Sequence, residues 1–331
     1  MIKKKTMMQG VMKSACVAAL AAWALLSVAA SAIAQEAALP TPGVIEITVL
    51  FPAGSSADVT ARLLADGMSR RLGTRVIVVN RPGGGGAVGY RYAAGQRPDG
   101  HALVWNSNSI STTHHMGLLQ LTYDSFAPVA QVLVESPVVA VRGDAKWRTL
   151  IELVAEGKAR PEGITVGNSG VGSHTHITSV ALFRTTGARV VDVPFGAAEV
   201  ITSLLGGQVD AVVQLPAALT EHVKSGQVRL LATIAAARDP AFPDVPTARE
   251  LGLDVALEAW RGIAAPKGTP QPVIDTLEAA IKDTVTSPEF TQACLRLGAR
   301  PAFLPADRFG PQIAKEDVEL AQLMEIIGLK K

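Results

Sequence analysis

The spacing of apolar residues along the chain predicts alternating strands and helices from about residue 44 onward. Residues 44–51 and 75–80 are β-branched, apolar runs of the length of a strand. Between them, residues 58–72 carry apolar side chains at helical spacing, at Val59, Leu63, Met68 and Leu72. A glycine-rich turn, a short helix and a third strand at 101–105 follow. This order is typical of parallel βαβ units.

The same alternation of strands and helices begins again at Leu150 and continues to about residue 234. This second series consists of predicted helices at 149–159, 174–186, 197–205 and 217–224 and predicted strands at 164–167, 189–193, 209–213 and 228–234. The proline-containing passage between the two series, residues 121–147, reads as irregular. Two separate series indicate an α/β fold with two Rossmann-like lobes and a cleft between them.

The last part of the chain is expected to return to the first lobe. Residues 260–265 read as a strand, and helices are predicted near 271–286, 288–297 and 305–327, each announced by proline or a capping residue. We therefore assign residues 35–142 and 258–331 to lobe 1 and residues 143–257 to lobe 2.

The N-terminus has the pattern of a cleavable secretory signal peptide. Three lysines at 3–5 precede an apolar stretch at 15–30, and Ala32-Ile33-Ala34 forms an A-x-A cleavage site. We predict a signal peptide at 1–34, with cleavage between Ala34 and Gln35 and export to the periplasm. An uncleaved membrane anchor is the alternative, since the apolar stretch approaches the length that spans a bilayer.

Charge and cysteine content argue against a nucleic-acid-binding protein and against a disulfide-stabilised one. The whole chain has 31 basic and 29 acidic residues, and four of the lysines lie in residues 1–34, which leaves 27 basic and 29 acidic residues. A net charge near −2 gives no reason to expect a nucleic-acid surface. Only Cys294 lies beyond residue 34, so no internal disulfide is expected in the exported chain.

Two loops, one in each series, carry the candidate binding residues. In α/β sheets ligands bind at the carboxyl ends of strands, where helix N-termini present free N–H groups to anions. In the first loop Gly54 allows close backbone approach, Ser55 and Ser56 offer hydroxyls or a cap, and Asp58 orients the loop. Taken alone, this loop also fits a plain strand-to-helix turn.

The second loop, residues 167–174 (GNSGVGSH), also links a strand to a helix. We expect the two loops to face each other across the cleft and to present two helix N-termini to one ligand. Neither loop contains lysine or arginine. An anion would therefore be held by dipoles and hydrogen bonds rather than by ion pairs with these loops.

Enzymatic motifs are incomplete. Ser169 lies in a near match to the G-x-S-x-G elbow, but Val171 replaces the last glycine. The four glycines at 83–86 lack the G-K-[ST] of a phosphate loop and the setting of a dinucleotide site. A hydrolase that uses Ser169 with His174 remains the alternative function.

The histidines do not have the spacing of metal ligands. His114-His115 and His174-x-His176 point in different directions on a helix, so only convergence of the two pairs across the lobes would build a centre. We expect His174 to be a polar residue of the cleft. No catalytic residue, metal or cofactor is expected.

Several short motifs in a fixed order carry a resemblance to a known family. The sequence resembles the periplasmic solute-binding receptors of tripartite tricarboxylate transporters, the Bug family, from about Ile45 to the C-terminus. The motifs are 51–54 (FPAG) with Asp58 and Arg62, 80–83 (NRPG), 97–100 (RPDG), 204–210 (LLGGQVD), 243–247 (PDVPT) with Glu250 and Gly252, Trp260-x-Gly262, and 265–270 (APKGTP).

The resemblance implies a fold similar to type II periplasmic binding proteins, closing on a small carboxylate that is delivered to membrane transporter subunits. It implies a monomer, without nucleic-acid partners. A receptor of this kind could also serve as the sensor partner of a kinase, and the sequence does not distinguish that role from transport. The residues that match the family's carboxylate-binding loops and first-lobe wall are Gly54, Ser55, Ser56, Asp58, Ser169, Gly172, Ser173, His174, Asn106 and Ser107.

Three positions depart from the family pattern. Ser55 stands where the family usually has a second glycine, and His114-His115-Met116 replaces a plainer Asn-Pro region. Phe195 replaces a tyrosine and is expected to touch the ligand. Loss of that hydroxyl favours a more apolar acid.

Overall fold

The structure, a computed structural model, describes residues 43–196 and 199–331. These residues form two β-sheets with accompanying helices. The predicted signal peptide lies outside these residues. The strands are β1 (Ile45–Val49), β2 (Val76–Asn80), β3 (Ala102–Ser107), β4 (Phe126–Glu135), β5 (Val138–Arg142), β6 (Thr165–Asn168), β7 (Val191–Pro194), β8 (Ala211–Gln214), β9 (Val228–Thr233), β10 (Ala259–Pro266) and β11 (Ala299–Pro305).

Ten α-helices accompany these strands within the described residues. They are α1 (Ser56–Leu72), α2 (Ala87–Ala94), α3 (Ser109–His115), α4 (Leu150–Ala159), α5 (His174–Thr186), α6 (Glu199–Leu205), α7 (Thr220–Lys224), α8 (Gln271–Val285), α9 (Pro288–Arg296) and α10 (Ala306–Ile326). Short 3₁₀ turns lie at Gly84–Gly86, Tyr123–Ser125 and Pro216–Ala218. None of these described helices is both long and apolar enough to cross a membrane.

The first sheet has six strands in the order β11-β4-β10-β3-β1-β2. β1 lies parallel to both β2 and β3, as the predicted βαβ units require. β10 runs antiparallel between β3 and β4, and β11 pairs with the outer side of β4. The returning strand is therefore not an edge addition but the centre of the sheet, and all eight of its residues are buried.

The second sheet has five strands in the order β7-β6-β8-β5-β9. β6 is parallel to β7 and β8, whereas β5 is antiparallel to β8 and β9. Apolar side chains cover both faces, in two separate clusters around residues such as Leu153 and Phe183 on one side and Val200 and Leu204 on the other.

The prediction that residues 121–147 are irregular is wrong, because this segment contains β4 and β5. The two strands form an almost continuous apolar run, which has no period of two because both faces are buried. Pro128 and Pro137 suggested breaks. Pro128 instead pairs with Ala264 beside a register shift, which is where a strand tolerates proline.

The assignment of strands to the two sheets can be compared with the predicted lobe boundaries. β5 belongs to the second sheet, although its residues fall on the lobe 1 side of the 142/143 boundary, whereas β10 joins the first sheet directly after 258. The lobe boundaries themselves stay a prediction. The chain passes from the first sheet to the second between β4 and β5, and back between β9 and β10.

The predicted C-terminal helices correspond to α8, α9 and α10, and both α8 and α10 pack on β4 of the first sheet. β11, which separates α9 from α10, was not predicted. Behind β10, Trp260 packs edge-on against Phe309 with ring centroids 5.0 Å apart, and Ile313 completes this small cluster. The C-terminal helix thus supports the central strand of the first sheet.

Candidate functional site

One cavity brings together the two loops that the sequence singled out. The first loop runs from the end of β1 to α1, and the second runs from the end of β6 to α5. The enclosed volume is about 20 Å³, room for about one water molecule, so the walls of the cavity lie close together in this structure. It is lined by Phe51, Ser55, Ser56, Ala57, Ser107, Ser109, Ser169, Ser173, His174, Thr175, Gln214, Leu215 and Arg261.

The second loop, which belongs to the second sheet, packs against the layer of the first sheet. The Thr112 hydroxyl on α3, in the first sheet's layer, donates a hydrogen bond to the carbonyl of Gly172 in the second loop. Gly85 lies so close to Val171 that a Cβ at Gly85 would stand 2.5 Å from the carbonyl oxygen of Val171. The cavity therefore has walls from both sheets.

The first loop is organised by Asp58. Its carboxylate accepts hydrogen bonds from the backbone N–H of Gly54 (2.9 Å) and from Asn80 Nδ2 (3.0 Å), and it pairs with Arg62 at 2.8 Å. Burial raises the pKa of Asp58, but the hydrogen bonds from Arg62, Gly54 and Asn80 outweigh it and hold the pKa below its ordinary value. Neither Asp58 nor Gly54 lines the cavity. Asp58 thus ties together the loop, Asn80 and Arg62, and Gly54 adopts the left-handed conformation at φ +79°.

Both helices that point at the cavity begin with a serine cap that also lines it. The Ser55 hydroxyl accepts from the N–H of Asp58 (3.3 Å), and the Ser173 hydroxyl accepts from the N–H of His176 (3.2 Å). In the second loop the Gly172 N–H donates to His176 Nδ1, so Gly172 shapes the turn and lies outside the cavity lining.

The remaining predicted residues separate into wall and support. Ser107 lines the cavity and its hydroxyl lies 2.5 Å from that of Ser109. Asn106 does not line it, because its amide oxygen accepts from the Tyr90 hydroxyl (2.8 Å) and faces away from the cleft. Phe195 borders a neighbouring space between the Gly83–Gly86 turn and the second loop. Phe51 borders both spaces.

Arg261 is the site residue that sequence reasoning missed. Its side chain is only 5% exposed, and its Nε donates to Glu135 Oε2 at 3.1 Å. Glu135 is fully buried and also accepts a hydrogen bond from the Ser56 hydroxyl. Nε is the only Arg261 donor that bonds within the described chain, so the terminal NH₂ groups remain for the cavity that Arg261 lines. A charged residue in the middle of the apolar run 259–266 was the signal, since such a residue is costly to bury without a purpose.

His174 has a fixed orientation. Its Nε2 lies 3.3 Å from the carbonyl oxygen of Leu257, and its Nδ1 is buried with no hydrogen-bond partner in the described residues. Burial lowers the pKa of His174 from 6.5 to about 4, since the Leu257 bond opposes the shift only in part and the charge of Arg261 adds to it. The ring is therefore neutral at pH 7.

The geometry does not form the Ser–His pair that the hydrolase alternative needs. Gln214 Nε2 donates to the Ser169 hydroxyl at 2.9 Å, and His174 is bonded to Leu257 instead. In the other histidine pair, His115 Nε2 contacts Asp317 at 3.0 Å and His114 Nδ1 lies 3.1 Å from the Leu119 carbonyl. Over the described residues, no group of three or more His, Cys, Asp or Glu side chains is placed to hold a metal.

The field in the cavity favours a negative charge. Helices α1 and α5 are 17 and 13 residues long, and each points the partial positive charge of its N-terminus at the same space. Arg261 adds a full positive charge that Glu135 balances only from its buried side. The hydroxyls, the backbone N–H groups and the guanidinium are donors whose chemistry suits a small anion.

Replacing the two serine caps by alanine is expected to show whether the serines contribute to anion binding as well as to stability. We expect Ser55→Ala and Ser173→Ala each to lower the free energy of unfolding by about 1 kcal/mol, because each leaves a helix N–H without its acceptor. Thr149→Ala is the matched control, since Thr149 caps α4 away from the cavity. All three should show similar losses in urea unfolding, but only the two serine variants should bind anions more weakly. Equal affinities in the three variants would contradict a role for the serines.

A second, half-buried acid lies near the site. Glu316 on α10 accepts hydrogen bonds from Trp260 Nε1 and Asn108 Nδ2. Burial raises the pKa of Glu316 from 4.5 to about 7, against the lowering effect of these two donors. Between these pH values the folded state holds a proton that the unfolded state has released, so stability falls as pH rises.

We expect wild type to lose about 2 kcal/mol of unfolding free energy from this group between pH 4.5 and pH 8, an amount that allows for its partial exposure. The Glu316→Gln variant should lack this loss. Urea unfolding of both proteins across this range gives the comparison, and the difference between the two curves is the quantity of interest. Curves that stay parallel would rule out the raised pKa.

Comparisons with known proteins agree with the fold and identify the family. The family model for the tripartite tricarboxylate transporter family receptor, TctC, matches residues 60–328. Protein BugT of Bordetella pertussis is 32% identical over 292 residues, which cover 86% of this chain and 90% of BugT. These matches confirm the resemblance that the sequence motifs carried.

Solved structures show the same architecture. The periplasmic binding protein BugD has a TM-score of 0.83 at 29% identity, over 87% of this chain and 98% of BugD. MatC from Rhodopseudomonas palustris, solved with bound malate, has a TM-score of 0.78 at 27% identity, over 85% of this chain and 98% of MatC. The predicted two-lobed α/β fold is thereby confirmed. The chain belongs to the family of tripartite tricarboxylate transporter receptors, which includes the Bug proteins.

Proposed function

We propose that this protein is a non-enzymatic periplasmic receptor that captures a small organic carboxylate between its two lobes. The observation that carries the proposal is the convergence of two serine-capped helix N-termini and Arg261 on one cavity. Each of these features attracts an anion, and a carboxylate can accept several such hydrogen bonds at once. The malate bound in MatC supports the assignment to carboxylates.

The residues proposed to contact the ligand are those that line the cavity with polar atoms. Arg261 is proposed to make a charge-assisted hydrogen bond to the ligand carboxylate, and Ser55 and Ser173 to add their hydroxyls and the adjoining backbone N–H groups. The other proposed contacts are Ser56, Ser107, Ser169 and His174. Gly54, Asp58, Asn106 and Gly172 are proposed to shape the loops, and Phe195 to bound the adjoining space.

The proposed biological role is delivery of the captured acid to the membrane subunits of a tripartite transporter. Residues 1–34 are proposed to direct export, after which the mature chain acts as a monomer in the periplasm. No cofactor or metal enters this role.

Thermal unfolding of ligand-free protein tests the proposal. The mature chain is unfolded in denaturant on a column, washed and refolded, so that any copurified molecule is removed and can be identified by mass spectrometry. A panel of carboxylates is then compared with the corresponding neutral amides. A ligand at 100 times its Kd adds about 2.7 kcal/mol to the unfolding free energy, so a binding acid should raise Tm clearly. If refolded protein with native circular dichroism responds to no acid at millimolar concentration, carboxylate capture is wrong.

A further inference from the structure

His174 lines the cavity and carries a hydrogen-bond acceptor whose identity is fixed by the fold. The Leu257 carbonyl oxygen can only accept, so the contact at 3.3 Å requires the proton on His174 Nε2. A neutral imidazole carries one proton, and Nδ1 is then an unprotonated acceptor. The ring cannot exchange these roles without losing the Leu257 bond.

This acceptor is unsatisfied. His174 is 5% exposed, and Nδ1 has no partner among the described residues. Leaving a buried polar atom unpaired is costly because it loses its hydrogen bond to water, which is why such atoms in native proteins call for an explanation. The other imidazole nearby, that of His176, does have a donor, the N–H of Gly172. His174 itself is one of the residues that line the cavity we assign to a ligand.

The chemistry of the missing donor follows from its surroundings. An ionised carboxylate only accepts hydrogen bonds, so it cannot satisfy His174 Nδ1. A hydroxyl or an ammonium could. The N-terminus of α5 and the nearby guanidinium of Arg261 both make this position positive, which disfavours an ammonium. A neutral hydroxyl meets both conditions.

We propose that His174 Nδ1 accepts a hydrogen bond from a ligand hydroxyl, so that the receptor selects short hydroxy acids over the same acids without the hydroxyl. The proposal rests on the carboxylate-binding function proposed above. In this arrangement Arg261 and the two helix N-termini hold the carboxylate, and His174 reads the substituent that distinguishes one acid from another.

Calorimetric titration at pH 7.5 with matched acids tests the proposal. The pairs are lactate against propionate and malate against succinate, with alanine and aspartate as the ammonium-bearing counterparts. We expect at least one hydroxy acid to bind about tenfold or more tightly than its partner, because the partner leaves Nδ1 unpaired. The amino acids should bind more weakly than the hydroxy acids.

Two variants assign the preference to His174. His174→Leu removes the acceptor and should bring the paired affinities within about threefold, mainly by weakening the hydroxy acid. His174→Asn places an amide oxygen near the position of Nδ1 and should keep part of the preference. Circular dichroism checks that both variants are folded. Nitrogen-15 NMR of the wild-type histidines should show the proton on Nε2 and a shift of the Nδ1 signal with the hydroxy acid only.

The outcomes separate the inference from the function on which it rests. Equal binding of the paired acids, tighter binding of the amino acids, a preference that survives in His174→Leu, or a proton found on Nδ1 would each overturn the role of His174 while leaving carboxylate capture intact. If no acid of the panel binds to folded protein, the proposed function fails, and the inference fails with it.

Discussion

Replacing Arg261 by methionine is expected to lower the free energy of unfolding by about 3–5 kcal/mol and to abolish carboxylate binding. The stability loss follows because Glu135, fully buried, would keep its charge without the cation that pairs with it. The binding loss follows because the only arginine or lysine side chain among the cavity-lining residues would be gone. Urea unfolding measures the first effect and calorimetric titration with the best acid measures the second.

A double variant separates these two effects. In Arg261→Met with Glu135→Gln, the uncompensated charge is removed, so most of the lost stability should return. Binding should not return, because the guanidinium is still absent. Recovery of affinity along with stability would mean that Arg261 only maintains the fold and does not meet the ligand.

Lowering the pH is expected to reduce the free energy of unfolding because of His174. The pKa of His174 is 6.5 when unfolded and about 4 when folded. Between these values the unfolded state binds more protons than the folded state, so stability rises with pH across this window and falls as pH drops through it. The shift corresponds to about 3 kcal/mol lost by pH 4 and present in full above pH 7.

Comparison with His174→Asn isolates this contribution. At pH 8 the difference between the two proteins reflects only lost contacts. On going to pH 4 the variant should gain about 3 kcal/mol relative to wild type, because it has no imidazole to protonate on unfolding. Denaturant unfolding at several pH values gives the two curves. A constant difference from pH 8 to pH 4 would show that His174 titrates alike in both states.

The loops of the site were within reach of sequence reasoning because their cause is local. Each loop stands between a predicted strand and a predicted helix, which places it at the carboxyl end of a strand. The sequence offered Ser55 or Ser56 as the cap of the first helix, and the structure shows Ser55 in that position, whereas the cap at Ser173 was not predicted. The role of Asp58 could also be inferred, since an acid in the first turn of a helix is typically used in the loop itself.

Arg261 and Asn106 lay beyond such reasoning because their environment depends on distant pairing. Arg261 meets Glu135 only because β10 returns between β3 and β4, where Arg261 pairs with Ser107 on one side and Leu133 on the other. No local pattern specifies that order of strands. Asn106 turns away from the cavity because Tyr90, on α2, binds its side chain. The strands β4 and β5 were missed for a third reason: strands buried on both faces lack alternation.

The ion pair of Arg261 and Glu135 sits where the chain leaves and re-enters the first sheet. Glu135 is the last residue of β4, and Arg261 is the third residue of β10. Any hinge motion of the second lobe must bend the backbone outside these two residues, so the guanidinium stays with the first lobe throughout. Under the proposed function, the guanidinium that meets the acid therefore belongs to the first lobe, whereas Ser173 and His174 belong to the second.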